Sequence, residues 1–142
     1  DIAIEAIKAK GIKAALVAIA GDIKGFGSKP NQQPWKVGIQ NPRPNPPAPS
    51  FEKGGRGGIL KKVEGELSDD IFATLHLKDK AISTSGDYQR FFMEKGKRYH
   101  HILNPKTGYP AQGVISVSVI APEGRVTDGF STGVFVLPLT AS

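Results

Sequence analysis

Two oxygen-bearing side chains near the carboxyl end of the sequence, Asp128 and Thr132, have a spacing that could support metal chemistry. If the segment is helical, residues four positions apart lie on one face, a turn from each other. A carboxylate and a hydroxyl are ligands that Mg²⁺ prefers, and Mg²⁺ completes its shell with water and phosphate oxygens. On spacing alone, an aspartate that caps a helix beside an ordinary threonine is the more frequent explanation.

Adjacent histidines, His100 and His101, stand in the stretch KRYHHILNPKTGYPA, which covers residues 97–111. Histidine can act as an acid, a base or a metal ligand near neutral pH, and it can also simply pack. Because consecutive residues of a strand point to opposite faces, we expect at most one of the two to face a functional site.

Two further stretches combine turn-forming residues with hydroxyl groups. Asn104–Gly108 has the composition of a tight turn, and such a turn could hold Thr107 and free backbone amides against an anionic group. Residues 83–88, STSGDY, place hydroxyls and a glycine at the end of a predicted strand. Each stretch could bind a ligand or form an ordinary Asx or ST turn, and the residues alone leave both alternatives open.

The composition of the chain restricts its function. The 142 residues suit one domain, and the absence of cysteine excludes disulfides, thiolate metal ligands and thiol nucleophiles. The formal charge of +6 is spread along the chain, so we expect general solvation rather than a nucleic-acid partner. No apolar run approaches the roughly 18 to 20 residues of a membrane helix, and no signal segment is recognisable.

Hydrophobic periodicity predicts an α+β fold with antiparallel hairpins. Residues 126–137 are predicted to form the last helix, but they include enough β-branched side chains that a strand is the alternative there. The predicted elements are a helix over Asp1–Lys10 ended by Gly11, a buried strand over 14–20, a half-buried strand over Trp35–Gln40, two strands within 72–86 joined around Lys78–Asp79, a hairpin over Tyr88–Leu103 turning at 94–97, a strand over 114–122, and a helix over 126–137 opened by Thr127 or Asp128.

Residues 41–68 interrupt this pattern. Prolines and then glycines are too dense there for regular structure, and the segment has few apolar side chains to offset the entropy of ordering. We therefore predict an exposed loop or disordered insertion within a single domain that spans 1–142.

Five separated motifs together resemble those of the ApbE family of flavin transferases. The resemblance covers nearly the whole chain except residues 41–68 and the last few, and it implies an α+β fold with packed helices on an antiparallel, T-fold-like core. The motifs, in order, are GDIKGFG, PWKVGIQNPR, ISTSGDYQRFF, GKRYHHILNPKTGYPA and VTDGFSTGVFVL.

The resemblance implies an Mg²⁺-dependent FAD:protein FMN transferase. Such an enzyme cleaves FAD, joins FMN through a phosphoester to a threonine or serine of a target flavoprotein, and releases AMP. Family members are periplasmic or are membrane-anchored lipoproteins, which is the location that the resemblance implies for this chain. FAD and a target flavoprotein are therefore the expected partners, with no role for nucleic acid.

Individual residues take roles from the same resemblance. Asp128 and Thr132 match the D-x-x-x-T metal motif of the family. His101 matches the family histidine, and we predict that it acts in the transfer, which leaves His100 facing away from the nucleotide. The expected contacts of the flavin nucleotide are Ser85, Gly86, Ile102 and Thr107.

The chain departs from the family in length and in detail. Family members are usually longer, and Asn104 stands where they commonly have aspartate. In the family, a metal-binding carbonyl and much of the FAD-binding wall precede the position of Asp1, so we expect these 142 residues alone to transfer little or no FMN. Two alternatives to a transferase stay open: a non-catalytic fragment that is structural, or binds flavin nucleotide weakly as a homodimer, and an FAD pyrophosphatase that uses water as the acceptor.

Overall fold

The structure, a computed structural model, describes residues 1–43 and 70–137. The described part of the chain forms two α-helices, eight strands and a short 3-10 turn at Pro30–Gln32. The helices and strands are α1 (Ile2–Ala9), β1 (Ala15–Ile19), β2 (Asp22–Phe26), β3 (Trp35–Gln40), β4 (Ile71–Leu77), β5 (Lys80–Gly86), β6 (Phe91–Glu94), β7 (Lys97–His100), β8 (Ser116–Ala121) and α2 (Gly124–Val136). The predicted α+β class is confirmed.

The central sheet has the strand order β1-β2-β5-β8, with every neighbouring pair antiparallel. Because side chains alternate along a strand, β5 turns Ile82 to one face and Ser83 to the other. Ile82 packs with Ile23, Val37 and Leu77, which joins this face to the β3–β4 hairpin. Helix α2 covers the opposite face, where it lies against β5 and β8. The sheet therefore holds α2 in a fixed position over the end of β5.

Two predictions about local structure were wrong. The apolar run at 14–20 was predicted to be a buried strand, and it does form β1. In the described part of the chain, however, β1 lies at the edge of its sheet, and Ile19 is 58% exposed. Helix α2 begins at Gly124 rather than at Thr127 or Asp128. Thr127 instead lies buried within the helix, where its hydroxyl donates to the carbonyl of Gly124 at 2.8 Å.

The carboxylate of Asp1 supplies the cap that α2 lacks locally. Its oxygens accept hydrogen bonds from the backbone N–H groups of Gly124 at 3.2 Å and Arg125 at 3.3 Å. The same carboxylate forms an ion pair with Lys24 on β2. A negative group at the first turn of a helix satisfies free N–H groups and complements the helix dipole. Asp1 thereby connects α1, the sheet and the start of α2.

Asp87, which directly follows β5, joins three parts of the fold. Its buried carboxylate accepts two hydrogen bonds from Arg43 after β3, at 3.0 and 2.6 Å, and one from Arg98 on β7 at 3.1 Å. Bidentate arginine–carboxylate contacts are strong and directional. One carboxylate therefore holds the ends of β3 and β5 and the β6–β7 hairpin together.

Replacement of Asp87 with asparagine should lower the free energy of unfolding by about 1–3 kcal/mol, because both guanidinium groups lose their ionic partner. The side chains of Arg43 and Arg98 are 43% and 28% exposed, so water limits the loss below that of a fully buried pair. Urea denaturation measures the change. The exposed Asp70 is the control, for which Asp70→Asn should stay within about 0.5 kcal/mol, and equal losses for both variants would contradict the assignment.

The predicted insertion at 41–68 falls mostly outside the described residues. At its borders, Gln40 pairs with Ile71, and the N–H of Asn41 donates to the carbonyl of Asp70 at 2.7 Å. The segment therefore connects two paired strands. Within 1–43 and 70–137, neither helix has the length and apolar character needed to span a membrane.

Candidate active site

Helix α2 meets the end of β5 through a series of hydroxyl contacts. Ser83 on β5 pairs with Thr127 on α2 at 2.7 Å, and both are buried. Farther along β5, the Ser85 hydroxyl lies 3.0 Å from the hydroxyls of both Ser131 and Thr132. Buried hydroxyls are retained without penalty when they bond to one another, so this series of contacts fixes the rotation of α2.

Asp128 and Thr132 lie on the exposed side of α2, one turn apart. The sequence predicted a helix that begins at Thr127 or Asp128, which would place Asp128 in the first turn. Because the helix begins at Gly124, Asp128 belongs to its second turn. Ser85 holds the Thr132 hydroxyl, whereas the Asp128 side chain borders a cleft of about 870 Å³ between α1, the β1–β2 hairpin and the start of α2. The volume falls within the usual range of small-molecule sites.

The donor atoms of Asp128 and Thr132 fit a hard divalent cation. Together the Asp128 carboxylate and the Thr132 hydroxyl could supply only a few of the oxygen ligands that such a cation takes. Both side chains are exposed, so the rest of the coordination shell of the cation would be open to other ligands. In the described ranges, no group of three or more histidine, aspartate or glutamate side chains could hold a metal by itself. A cation bound here would therefore take further ligands from water and from phosphate oxygens, which is the usual behaviour of Mg²⁺.

Gly86 ends β5 directly beside this group. The ring of Tyr88 folds back over Gly86, so that a Cβ atom at position 86 would lie 2.4 Å from Cε1 and 2.9 Å from Cζ of Tyr88. The Tyr88 hydroxyl is buried and has no hydrogen-bond partner in the part of the chain that the structure describes. A glycine is therefore required for this turn to bring Tyr88 against the sheet.

Gly86→Ala should reduce the free energy of unfolding by about 1–3 kcal/mol, because the added methyl group overlaps the Tyr88 ring. Gly129→Ala is the matched control, since no atom lies within 4 Å of the Cβ position there. Alanine in an open helical position should stabilise the protein by about 0.5–1 kcal/mol. Thermal unfolding of both variants measures the difference, and a neutral Gly86→Ala would contradict the packing described.

The two histidines face opposite sides, as expected from the strand. His100 is buried, its Nε2 lies 2.8 Å from the carbonyl oxygen of Ala111, and its ring packs edge-on against Phe135 of α2. The N–H of Ile102 donates to Nδ1 of the same ring at 3.3 Å. Both ring nitrogens of His100 are thus used within the fold, which makes this histidine a packing residue.

His101 is exposed and is oriented by the backbone of Arg90. The carbonyl oxygen of Arg90 accepts the His101 backbone N–H at 3.1 Å and lies 3.3 Å from Nδ1. A carbonyl can only accept, so the neutral tautomer that makes this contact has its proton on Nδ1 and its lone pair on Nε2. His101 can therefore accept a proton at Nε2 from an approaching hydroxyl group.

The turn at Asn104–Gly108 satisfies its own backbone. The N–H groups of Lys106, Thr107, Gly108 and Tyr109 donate to Asn104 or to the Thr107 hydroxyl, at 2.9–3.3 Å. Of the two alternatives for this stretch, the contacts within it therefore favour an ordinary turn over one with free amides. The Thr107 side chain borders a second cavity, of about 510 Å³, next to the carboxyl end of α2.

The predicted site residues fall into separate groups. Ser85, Gly86, Asp128 and Thr132 lie together where β5 meets α2. Ile102 is buried in a hydrophobic cluster with Ala111 and Phe135. Phe135 lies on α2, about one helical turn beyond Thr132. His101 and Thr107 lie on the exposed segment that follows β7. The roles of all the predicted site residues stay predictions.

Sequence reasoning missed two groups that hold the candidate site. Ser131 is buried, donates to the backbone carbonyl of Asp128 at 3.0 Å and contacts Ser85. Its signal was the four-residue period of Thr127, Ser131 and Phe135, which marks the buried stripe of α2. The contact of the Arg90 carbonyl with His101 left no signal in the sequence, because a backbone carbonyl is present whatever the residue type.

The fold and the candidate site define an α+β domain in which one helix presents a carboxylate and a hydroxyl on its exposed side, near a cleft. A model of the ApbE family matches residues 1–142. The chain therefore belongs to the ApbE family.

Two relatives carry the name FAD:protein FMN transferase. The protein from Haemophilus influenzae is 34% identical over 123 residues, which is 86% of this chain and 30% of the relative. The protein from Treponema pallidum is 31% identical over 146 residues, covering 96% of this chain and 34% of the relative. This chain thus spans about a third of the length of these relatives.

Solved structures agree with this membership. The ApbE protein of Thermotoga maritima superimposes with a TM-score of 0.66 at 37% identity, over 87% of this chain and 32% of that one. The flavin transferase ApbE of Vibrio cholerae gives a TM-score of 0.68 at 28% identity, over 96% and 36%. The described residues therefore adopt a fold that is shared with part of these longer proteins.

Proposed function

We propose that this chain carries part of the active site of an FAD:protein FMN transferase. The observation that carries the proposal is the contact between the Ser85 and Thr132 hydroxyls at the end of β5, with the Asp128 carboxylate one turn before Thr132 on the same exposed side of α2. The names of the relatives support the reaction class. The periplasmic or membrane-anchored location belongs to the same proposal and rests on the family resemblance.

The proposed reaction is a displacement at phosphorus. The hydroxyl oxygen of an acceptor threonine or serine attacks the phosphorus of the FMN half of FAD, the bond between that phosphorus and the bridging oxygen breaks, and AMP leaves. The acceptor hydroxyl loses its proton as the new phosphoester forms. Nε2 of His101 is the group that would accept this proton, because the Arg90 carbonyl favours the tautomer with the proton on the other ring nitrogen.

Asp128 and Thr132 are the residues that would hold Mg²⁺. When bound, the ion would neutralise charge on the pyrophosphate and orient it for displacement. Ser85 would keep the Thr132 hydroxyl in place, and Ser131 would keep Ser85 in place through their 3.0 Å contact. Ser85 and Ser131 are thus positioning residues in this proposal.

Product analysis tests the proposal against its two alternatives. The chain is kept in excess over a threonine-containing acceptor peptide with FAD and Mg²⁺, so that slow transfer by this part of the family protein becomes detectable. Transfer yields AMP and flavin-labelled peptide in equal amounts. AMP without labelled peptide would identify an FAD pyrophosphatase, and neither product after complete incubation would favour the non-catalytic fragment.

A further inference from the structure

The β6–β7 hairpin exposes an unusual set of side chains. Its strands pair only with each other among the described residues, and every residue of β6 is exposed. Phe91, Phe92 and Met93 follow one another in β6, with Phe92 61% exposed. Adjacent large apolar side chains that protrude into water commonly mark a contact surface.

Cationic side chains surround these aromatic rings. Residues 90–100 contain four, Arg90, Lys95, Lys97 and Arg98, against the single carboxylate of Glu94. The Lys97 ammonium lies 5.5 Å from the Tyr99 ring, and the Arg98 guanidinium lies 4.2 Å from the Phe91 ring. The hairpin therefore combines apolar area with positive charge on both of its faces, because Phe92 and Tyr99 stack on the face opposite to Phe91.

The base of the hairpin is the place where His101 is held. Arg90 precedes β6, His101 follows β7, and the Arg90 carbonyl accepts the His101 N–H. Four strand residues span roughly 13 Å, so a segment that lies along the hairpin from its tip would end beside His101. A ligand on the hairpin is thereby connected to the group that we assign to proton transfer.

From these observations we propose that the β6–β7 hairpin docks an extended acidic segment of the acceptor polypeptide and leads its hydroxyl to His101. This inference rests on the proposed function, in which a polypeptide is the acceptor. Acidic side chains complement Arg90, Lys95 and Lys97, the three cations that Asp87 does not hold, and apolar side chains between them would cover Phe92 and Tyr99. An extended chain can also add backbone hydrogen bonds to the outer edge of β6, which pairs with no strand other than β7 in the described part of the chain.

Other occupants fit this surface less well. Two hairpins with the same positive charge repel each other, which disfavours contact between two copies of this chain through the hairpin. A single-stranded nucleic acid needs open aromatic faces, but Phe92 and Tyr99 already stack with centroids 5.1 Å apart. Arg98 is also occupied by its contact with Asp87.

Fluorescence anisotropy tests the docking without FAD, so its outcome does not depend on catalysis. The probe is a labelled twelve-residue peptide that alternates valine with aspartate or glutamate and contains one threonine; the same peptide with lysine at the acidic positions is its control. Phe92→Ser and Lys97→Glu should each weaken binding about tenfold or more. The matched control variants, Phe72→Ser on β4 and Lys36→Glu on β3, should bind as the unmodified chain does, since both residues are exposed outside the hairpin.

Several results would overturn the docking proposal. Equal affinity for the acidic and basic peptides, or equal losses in the Phe92 and Phe72 variants, would remove the hairpin as the binding element. Tighter binding to an oligo(dT) strand or to phosphatidylglycerol vesicles than to the acidic peptide would assign the surface to another class of partner. FMN transfer that is unchanged in the Phe92 and Lys97 variants would refute docking while leaving the transferase intact, whereas hairpin-dependent binding with release of AMP but no labelled peptide would refute the transferase alone.

Discussion

Asp128→Ala should lower the slow FMN transfer that this chain gives when it is in excess over the acceptor by roughly 100- to 1,000-fold, and it should abolish the dependence on Mg²⁺. The variant removes the carboxylate of the candidate metal site but leaves the Ser85–Thr132 contact in place. Loss of metal-assisted charge neutralisation is worth several kcal/mol in the transition state, which corresponds to this factor. Single-turnover transfer to a threonine peptide, measured over a range of Mg²⁺ concentrations, gives both quantities.

Asp22→Ala is the control for this experiment. Asp22 borders the same cleft as Asp128 but lies on β2, away from the hydroxyls of α2. It should retain both the rate and the Mg²⁺ dependence of the unmodified chain. An Asp128→Ala variant that transfers FMN at a normal rate without metal would refute the assignment of Asp128 as a ligand.

His101→Gln should lower the transfer rate by about 10²- to 10⁴-fold, because glutamine keeps the size and polarity of the side chain but cannot accept a proton at the position of Nε2. Folding should be preserved, since His101 is exposed. Urea denaturation and single-turnover kinetics measure the two effects separately. His76→Gln, at an exposed position on β4, is the matched control and should leave both unchanged. Near-normal transfer by His101→Gln would remove this histidine from the mechanism.

The elements with the strongest periodicity could be predicted from the sequence. The alternation of valine and isoleucine with serine in 114–122 indicated β8, and Lys78–Asp79 marked the turn between β4 and β5. The glycine at position 96 marked the turn of the β6–β7 hairpin, where it adopts a φ of 77°. In each case the local pattern and the tertiary position require the same residue types.

The features that were not predicted depend on distant parts of the chain. Asp1 caps α2 from 123 residues away, and Asp87 binds Arg43 from 44 residues away. No local pattern shows that such groups will meet. The run at 14–20 was expected to be buried because its residues are apolar, but its exposure is set by its place at the sheet edge, which topology decides.

The candidate site divides in the same way. The spacing of Asp128 and Thr132 showed that they share a helix face, and the contact with Ser85 added the strand that holds them. The opposite orientation of the histidines followed from strand alternation, whereas the contact of the His101 ring depends on a carbonyl across the hairpin. Side-chain spacing thus indicated the candidate ligands, and only the fold shows which groups position them.

Titration of FAD into the chain with and without Mg²⁺ tests the central claim most directly, because it needs no turnover and no acceptor. If Asp128, Thr132 and Ser85 form a metal-assisted nucleotide site, Mg²⁺ should tighten FAD binding by about tenfold or more in the unmodified chain, and Asp128→Ala should remove that gain. FAD binding that is the same with and without Mg²⁺, or a gain that persists in Asp128→Ala, would contradict the account.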